Sequence, residues 1–239
     1  DKYQPVNSMQ IACYGEACGE CGFRSTIFNC LSNEQLDLLS ESKKIIKAKK
    51  GQVVVSQGEE IQSFVFLRVG LAKLTRLTHD GKEQIVGIAR PRDFVGLLSL
   101  FSSKEHQYSI TTIEDSEFCM VDYQRIFELT NVNGKLAHSM LEKISQVADI
   151  LISTRLDLNS RQIRGRIAYI LCYFATEVYD SHKFNLPISR KEIGELIDMR
   201  VENVVRVLSE FRKDGIIAIE GTQIEIKNFE KLSWINQHG

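Results

Sequence analysis

Four of the six cysteines fall in one short stretch, CYGEACGECGFRSTIFNC, at Cys13, Cys18, Cys21 and Cys30. The spacing is C-x4-C-x2-C-x8-C, close enough for thiolates to converge on a zinc ion or an iron–sulfur cluster. Loop thiols are the plainer alternative, with the separate Cys119 and Cys172 packed as small hydrophobes. A second set of reactive side chains lies in residues 186–217, LPISRKEIGELIDMRVENVVRVLSEFRKDGII. Arg200, Glu202, Arg206 and Arg212 share one face of a helical pattern there. An arginine can fork onto O6 and N7 of guanine, and a carboxylate can accept from the cytosine amino group. Catalytic chemistry is not expected. The five histidines (His79, His106, His138, His182, His238) are scattered, and no nucleophile-elbow or phosphate-loop signature occurs.

The second set needs two short helices to carry it. Ser189 and Glu192 have the S-x-x-E spacing of a capping box, and Ile193, Leu196 and Ile197 form the stripe of a two-turn helix. After Asp198-Met199 a second helix places Val204, Val207, Leu208 and Phe211 opposite its charges, and Gly215 ends it. Residues 216–219 and 224–226 then read as a hairpin turning at Glu220-Gly221. Together these predict a winged helix-turn-helix with its second helix suited to a DNA major groove. Two ordinary packed helices with solvated charges are the bland alternative.

Composition sets wide bounds. The 239 residues, 43% hydrophobic and 26% charged, suit a soluble chain of one large or two moderate domains. No apolar run approaches a bilayer span and the start lacks a signal core, so a cytoplasmic, disulfide-free protein is expected. The net charge of -1 argues against general coating of nucleic acid. Any electrostatic footprint must be local, from Arg161, Arg164, Arg166, Arg190, Lys191, Arg200, Arg206, Arg212 and Lys213.

Residues 1–30 are the cysteine-bearing segment. Residues 31–130 open with a short helix capped by Ser32, with Leu36, Leu38 and Leu39 turned inward. Glycines then punctuate short apolar runs, and Asp80-Gly81 gives a hairpin signal, the pattern of an antiparallel double-sheet jelly-roll barrel. Residues 131–159 read as one helix. Ala137, Met140, Ile144, Val147, Leu151, Thr154 and Leu158 recur at three and four, the seam of a two-stranded coiled coil. Packing on its own barrel, which the helix start should do in part, is the alternative, and a repeat over three heptads makes a homodimer the expectation. Leu158-Asn159-Ser160 should be a hinge to the DNA-reading domain, residues 160–239. That domain should begin with a packing helix over 161–179, with Cys172 in its core, and end in a peptide covering the wing. The fold class is therefore α+β: jelly roll, dimerisation helix, winged helix-turn-helix.

The helix-turn-helix run, the glycine positions and the phrase FVFLRVGLAKL resemble the Crp–Fnr family, the cyclic-AMP receptor and fumarate–nitrate-reduction regulators, over nearly the whole chain. The resemblance implies a dimeric, sequence-specific transcription regulator with RNA polymerase as a partner. Glu202 and Arg206 match its base readers. Ser189 and Arg190 would then contact phosphate, Val201 and Val205 thymine methyls, and Arg200 stands where a small capping hydroxyl is usual. The family's oxygen-sensing branch holds a [4Fe–4S] cluster, which implies Cys18, Cys21, Cys30 and the distal Cys119 as ligands. Eight residues separate Cys21 and Cys30 where about five is usual, so either Cys13 is a substitute or the site has been lost. The cyclic-nucleotide branch uses a Glu and an Arg that this chain replaces by Leu97 and Tyr108. Cyclic AMP is therefore disfavoured, and a pocket lined by Leu97, Leu98, Leu100, Phe101, Tyr108 and Ser109 would suit an apolar or flat ligand. A ligand-gated protein-interaction module without DNA readout is the rival from another class.

Overall fold

The computed structural model describes residues 10–13, 17–22, 25–79 and 81–239, with the side chains of 10–13 outside that description. It divides into two compact units, Asp1–Ile150 and Leu151–Gly239.

In the first unit, β1 (Gln10–Cys13), a 3-10 turn (Thr26–Cys30) and α1 (Asn33–Glu41) precede the barrel. Its strands are β2 (Lys43–Ala48), β3 (Val53–Val55), β4 (Ser63–Val69), β5 (Ala72–Leu77), β6 (Glu83–Ala89), β7 (Phe94–Val95), β8 (Ser109–Thr112) and β9 (Ser116–Asp122). A one-turn helix, α2 (Leu97–Leu100), follows β7. All pairings are antiparallel, in a five-stranded sheet of order β1-β2-β9-β4-β7 and a four-stranded sheet of order β3-β8-β5-β6. Asp80, half of the expected turn signal, lies outside the described residues.

The continuous apolar run of β4 is explained by burial on both faces, because successive strand side chains point oppositely. Val65 and Leu67 join Ile46, Val54, Ala72, Ile110 and Phe118 in a core built from both sheets. Phe64 and Phe66 belong to a second core, with Phe94, Leu36 and Leu39 of α1, and Ile126 and Leu129 of α3 (Tyr123–Val132). Ser32 caps α1 in a complete capping box. Leu38 is a correction: it is 39% exposed, because on a helix the core-facing pair is Leu36 and Leu39, three apart.

The long helix is α4 (Gly134–Ser160), separated from α3 by Asn133. The start of its early apolar stripe is taken up by its own chain. Met140 is 2% exposed inside the second core, and Ile144 and Val147 pack against that core. Leu151 is 41% exposed. The expected hinge residues 158–160 are still helical and Leu158 is buried, so the chain breaks at Arg161-Gln162 instead.

The second unit contains α5 (Ile163–Tyr173), a π-helical turn (Phe174–Val178), β10 (Lys183–Asn185), α6 (Arg190–Ile197) and α7 (Val201–Lys213). The hairpin β11 (Ile217–Glu220) and β12 (Gln223–Ile226) follows, then α8 (Phe229–His238). Strand β10 pairs with β12 to make a three-stranded wing sheet. Cys172 is buried on α5, as expected of a core residue. The closing peptide is a helix that packs along α5 rather than over the wing. Arg161 Nε donates to the Asn236 carbonyl at 2.8 Å across this contact. Among the described residues no helix is long and apolar enough to cross a membrane.

Candidate nucleic-acid interface and cysteine cavity

Helix α7 is mounted by its apolar face. Val204, Val207 and Phe211 are fully buried and Leu208 nearly so, which turns the other face outward by helical period alone. That outward face carries Val201, Glu202, Val205, Arg206, Ser209, Glu210 and Lys213 along one shallow concavity. Val205 is 53% exposed on that face.

The turn before α7 is tight for a definite reason. A Cβ on Gly194 would collide with the Met199 carbonyl, so only glycine lets α6 and α7 approach so closely. Asp198, at φ 55°, takes the left-handed position that ends α6. Ser189 completes its capping box: its Oγ accepts from the Glu192 N–H at 3.2 Å, and Glu192 Oε2 accepts from the Ser189 N–H at 2.8 Å. Arg200 is the N-cap of α7 and no side chain caps that end.

The cations divide into two groups. Arg161, Arg164 and Arg166 are internal ties. Arg166 Nη1 donates to the carbonyls of Ile197 and Asp198 at 3.3 and 3.4 Å, and Arg164 bridges Glu210 and Asp214 at 2.8 Å each. The Asp214 hydrogen bond first, then Glu210, holds the Arg164 guanidinium above its ordinary pKa, and the same bond holds Asp214 below the usual carboxylate range. Arg190 Nη2 donates to the Gly221 carbonyl at 3.0 Å, fastening α6 to the wing turn. Lys191, Arg200, Arg206, Arg212 and Lys213 are exposed. An arginine's charge is visible in a sequence, whereas the carbonyls that bind Arg166 are not.

The second site lies in the barrel unit. Register places Cys119 on β9 between Ile45 of β2 and Phe66 of β4. The turn at residues 17–22 is anchored by the Cys18 N–H donating to Ser40 Oγ of α1 at 2.7 Å. Cys18, Cys21 and Cys119 thereby line one small cavity of about 40 Å³, walled by Phe28, Phe64, Phe66 and Phe94 and bordered by Lys43 and Arg68. Burial pushes the Cys119 thiol up to about 11, against the opposing pull of Lys43. Cys30 packs on the same core, but its Sγ donates to the Ile27 carbonyl at 3.3 Å and is not part of the cavity lining. Cys13 lies on β1 with its backbone opposite Ile45, and its side chain is outside the described residues.

Soft thiolates, apolar walls and two adjacent cations suit an iron–sulfur group in kind. In size the cavity holds about one water. Among the described residues no three His, Cys, Asp or Glu side chains stand close enough to hold a metal ion. The turn at 17–22 would therefore have to move outward to admit a cluster.

The cyclic nucleotide-binding domain family matches residues 45–133, and the Crp-like helix-turn-helix family matches residues 165–234. The fumarate and nitrate reduction regulatory protein of Escherichia coli strain K12 is 28% identical over 232 residues, 92% of this chain and 90% of that one. Its counterpart in Yersinia pestis is 28% identical over 240 residues, 95% and 93% of the two chains. The chain belongs to the Crp–Fnr family of transcription regulators. Among solved structures, a putative regulator of the family from Eubacterium rectale has a TM-score of 0.75 at 15% identity, covering 89% of this chain and 98% of that one. FixK2 from Bradyrhizobium japonicum has a TM-score of 0.72 at 20% identity, covering 81% and 97%. Both share the fold of this Crp–Fnr member. It is a DNA-binding transcription regulator, and its curated relatives are regulators rather than enzymes.

The regulator's nominal ligand pocket differs from expectation. Leu97 and Leu100 are buried in the second core instead of lining an opening, while Leu98 is half-buried and Phe101 is 45% exposed. The Arg76 guanidinium lies 6.0 Å from the Tyr108 ring centroid, and Ser109 Oγ accepts from the Gln57 N–H at 2.9 Å. Leu97 turns into the core because Gly96, at φ 80°, starts α2 directly after β7.

Proposed function

We propose that this regulator works as a homodimer on a pseudo-palindromic operator, gated by a signal at the barrel or the cysteine cavity. The outward face of α7 carries the reading. Glu202 and Arg206, four residues apart on an exposed face, suit the edges of G·C pairs, and Val201 and Val205 suit thymine methyls. Ser189 and Arg190 at the start of α6, with Arg200 at the start of α7, lie at helix N-termini that favour phosphate.

Dimerisation is assigned to a different stripe of α4 from the one the apolar repeat suggested. Met140, Ile144 and Val147 are engaged within their own chain. One residue on, Leu141, Ser145, Ala148 and Ile152 follow at four, three and four. Leu141 is 63% and Ile152 59% exposed, which supports this stripe as the partner-facing seam. Two-fold symmetry then sets one α7 per half-site, about one helical turn apart.

For the signal, Cys18, Cys21 and Cys119 would hold a [4Fe–4S] cluster with either Cys30 or Cys13. Such a group would supply oxygen-labile redox chemistry. Lys43 and Arg68 would offset the thiolates' negative charge. The three thiols sharing a cavity support a thiolate-held group over plain loop thiols, with zinc as the alternative to the cluster. Cyclic AMP stays disfavoured, since Leu97 offers a ribose hydroxyl no acceptor. Rearrangement of the 17–22 turn against α1 would bias the α4 pairing, and so the spacing of the reading helices. RNA polymerase is the further partner, in the cytoplasm.

The test is salt-dependent binding to a mixed duplex library together with Arg206→Ala. A steep salt slope and a loss of about 1–3 kcal/mol confined to sites with one particular base pair are expected. Equal weakening on all duplexes would make Arg206 a phosphate contact. Retention of a protein partner with no DNA binding would favour an interaction module instead.

A further inference from the structure

Arg206 is not a loose side chain. Its Nη1 donates to Glu210 Oε1 at 2.6 Å, one helical turn further along α7. Glu210 is itself held, because its Oε2 accepts from Arg164 Nη1 on α5 at 2.8 Å. Arg164 is fixed in three ways: by Glu210, by Asp214 at 2.8 Å through Nη2, and by stacking 4.9 Å over the buried Phe211 ring. A chain of four alternating charges, Asp214–Arg164–Glu210–Arg206, thus ties Arg164 of α5 to the outward face of α7.

We propose that Glu210 is a specificity-determining positioning residue, braced by Arg164, that presents Arg206 to a guanine and restrains it from phosphate. This rests on Arg206 being a base reader. Two physical effects point the same way. A long, flexible arginine loses much rotamer freedom when it binds, and one already held by a carboxylate loses less. Nη1 is occupied, so Nε and Nη2 remain as the fork for O6 and N7. The second effect is electrostatic. Glu210 and Asp214 cancel the charges of Arg206 and Arg164, so this part of the face adds little sequence-independent attraction to phosphate. A neutralised reader lowers affinity for random DNA and widens the ratio between right and wrong sites.

The experiment uses the full chain, a duplex enriched by the wild-type protein from a random pool, the same duplex with the Arg206-dependent base pair exchanged, and bulk DNA. Glu210→Gln is expected to lower discrimination at that pair about tenfold, the scale of one charge-assisted bond. It should at the same time tighten bulk-DNA binding and steepen its salt slope. In the Arg206→Ala background Glu210→Gln should no longer alter discrimination, since coupled residues are non-additive. Should Glu210→Gln fold poorly by thermal melting, Arg164→Lys keeps the cation and removes the two-way fork, and is expected to give a smaller loss of the same kind. Equal weakening of all three duplexes, or an undiminished Glu210→Gln effect without Arg206, would overturn the proposal. If Arg206→Ala itself leaves every base preference intact, the reading of Arg206 fails, and the Glu210 proposal fails with it.

Discussion

The two candidate sites are built in opposite ways. The α7 face draws its reading residues from one 13-residue helix, displays them to solvent and braces them with local ion pairs. The cysteine cavity draws on a turn at residues 17–22 and on a strand about a hundred residues later, and hides its thiols behind phenylalanines. A reader of an external partner must be exposed and pre-ordered. A sensor's reactive groups must be sheltered, and able to reorganise.

Changes on the cavity side should alter DNA affinity through the α4 pairing but leave the base preference of α7 unchanged, and this offers the sharpest way to separate them. Cys119→Ala should remove most of the iron and visible absorption from protein purified without air, since one of four ligands is lost. The metal-free protein should bind DNA with altered affinity and an unchanged base preference. Cys30→Ala and Cys13→Ala then identify the fourth ligand, because only one of them should reproduce that loss. A colourless, iron-free wild-type protein that still binds DNA would remove the cluster altogether.

Helix α4 joins the comparison because it carries two apolar stripes. Met140→Ala should cost about 2–5 kcal/mol in denaturant unfolding, as a buried core truncation, without changing assembly. Leu141→Asp should do the reverse, giving a monomer by sedimentation with little loss of monomer stability. The opposite outcome would return the seam to the Met140 stripe.

The smallest expected effect is a pH dependence. Burial raises Cys119 from an ordinary 9.0 to about 11, so the folded barrel keeps this proton more tightly than the unfolded chain does. The associated stability is present in full below about pH 9 and is lost as pH rises through about 11, an effect of at most about 3 kcal/mol. Cys172 in the reading domain is likewise raised to about 11 by burial. The wild-type minus Cys119→Ala difference therefore isolates the barrel's share, and an identical alkaline slope in the two would contradict it.

What the sequence revealed follows the same division. The capping box at Ser189, the buried stripe Val204–Val207–Leu208–Phe211 and the outward Arg206 are all set by spacings within one helical turn or two, and all stand as read. Strand β10 escaped notice because KFN is too short to show alternation. The cysteines were recognisable by type, but which of them meet depends on the Ile45–Cys119–Phe66 register, a long-range pairing. Leu97 seemed to open a pocket and instead fills a core, because the left-handed Gly96 turns it inward. The α4 repeat correctly marked an apolar face, yet periodicity does not say whether the covering surface is a partner or the chain's own barrel. The brace on Arg206 was half visible, as a Glu210 four residues on; its anchor, Arg164, lies 46 residues away.

The central claim is that two copies of this chain each set one α7 into successive major grooves. Enrichment from a random duplex pool by the purified protein, with the mass of the complex measured on the enriched sequence, tests it most directly. The expected result is an inverted word with half-sites about one turn apart, bound by two chains. An enriched direct or single word, or one chain per duplex, would contradict it.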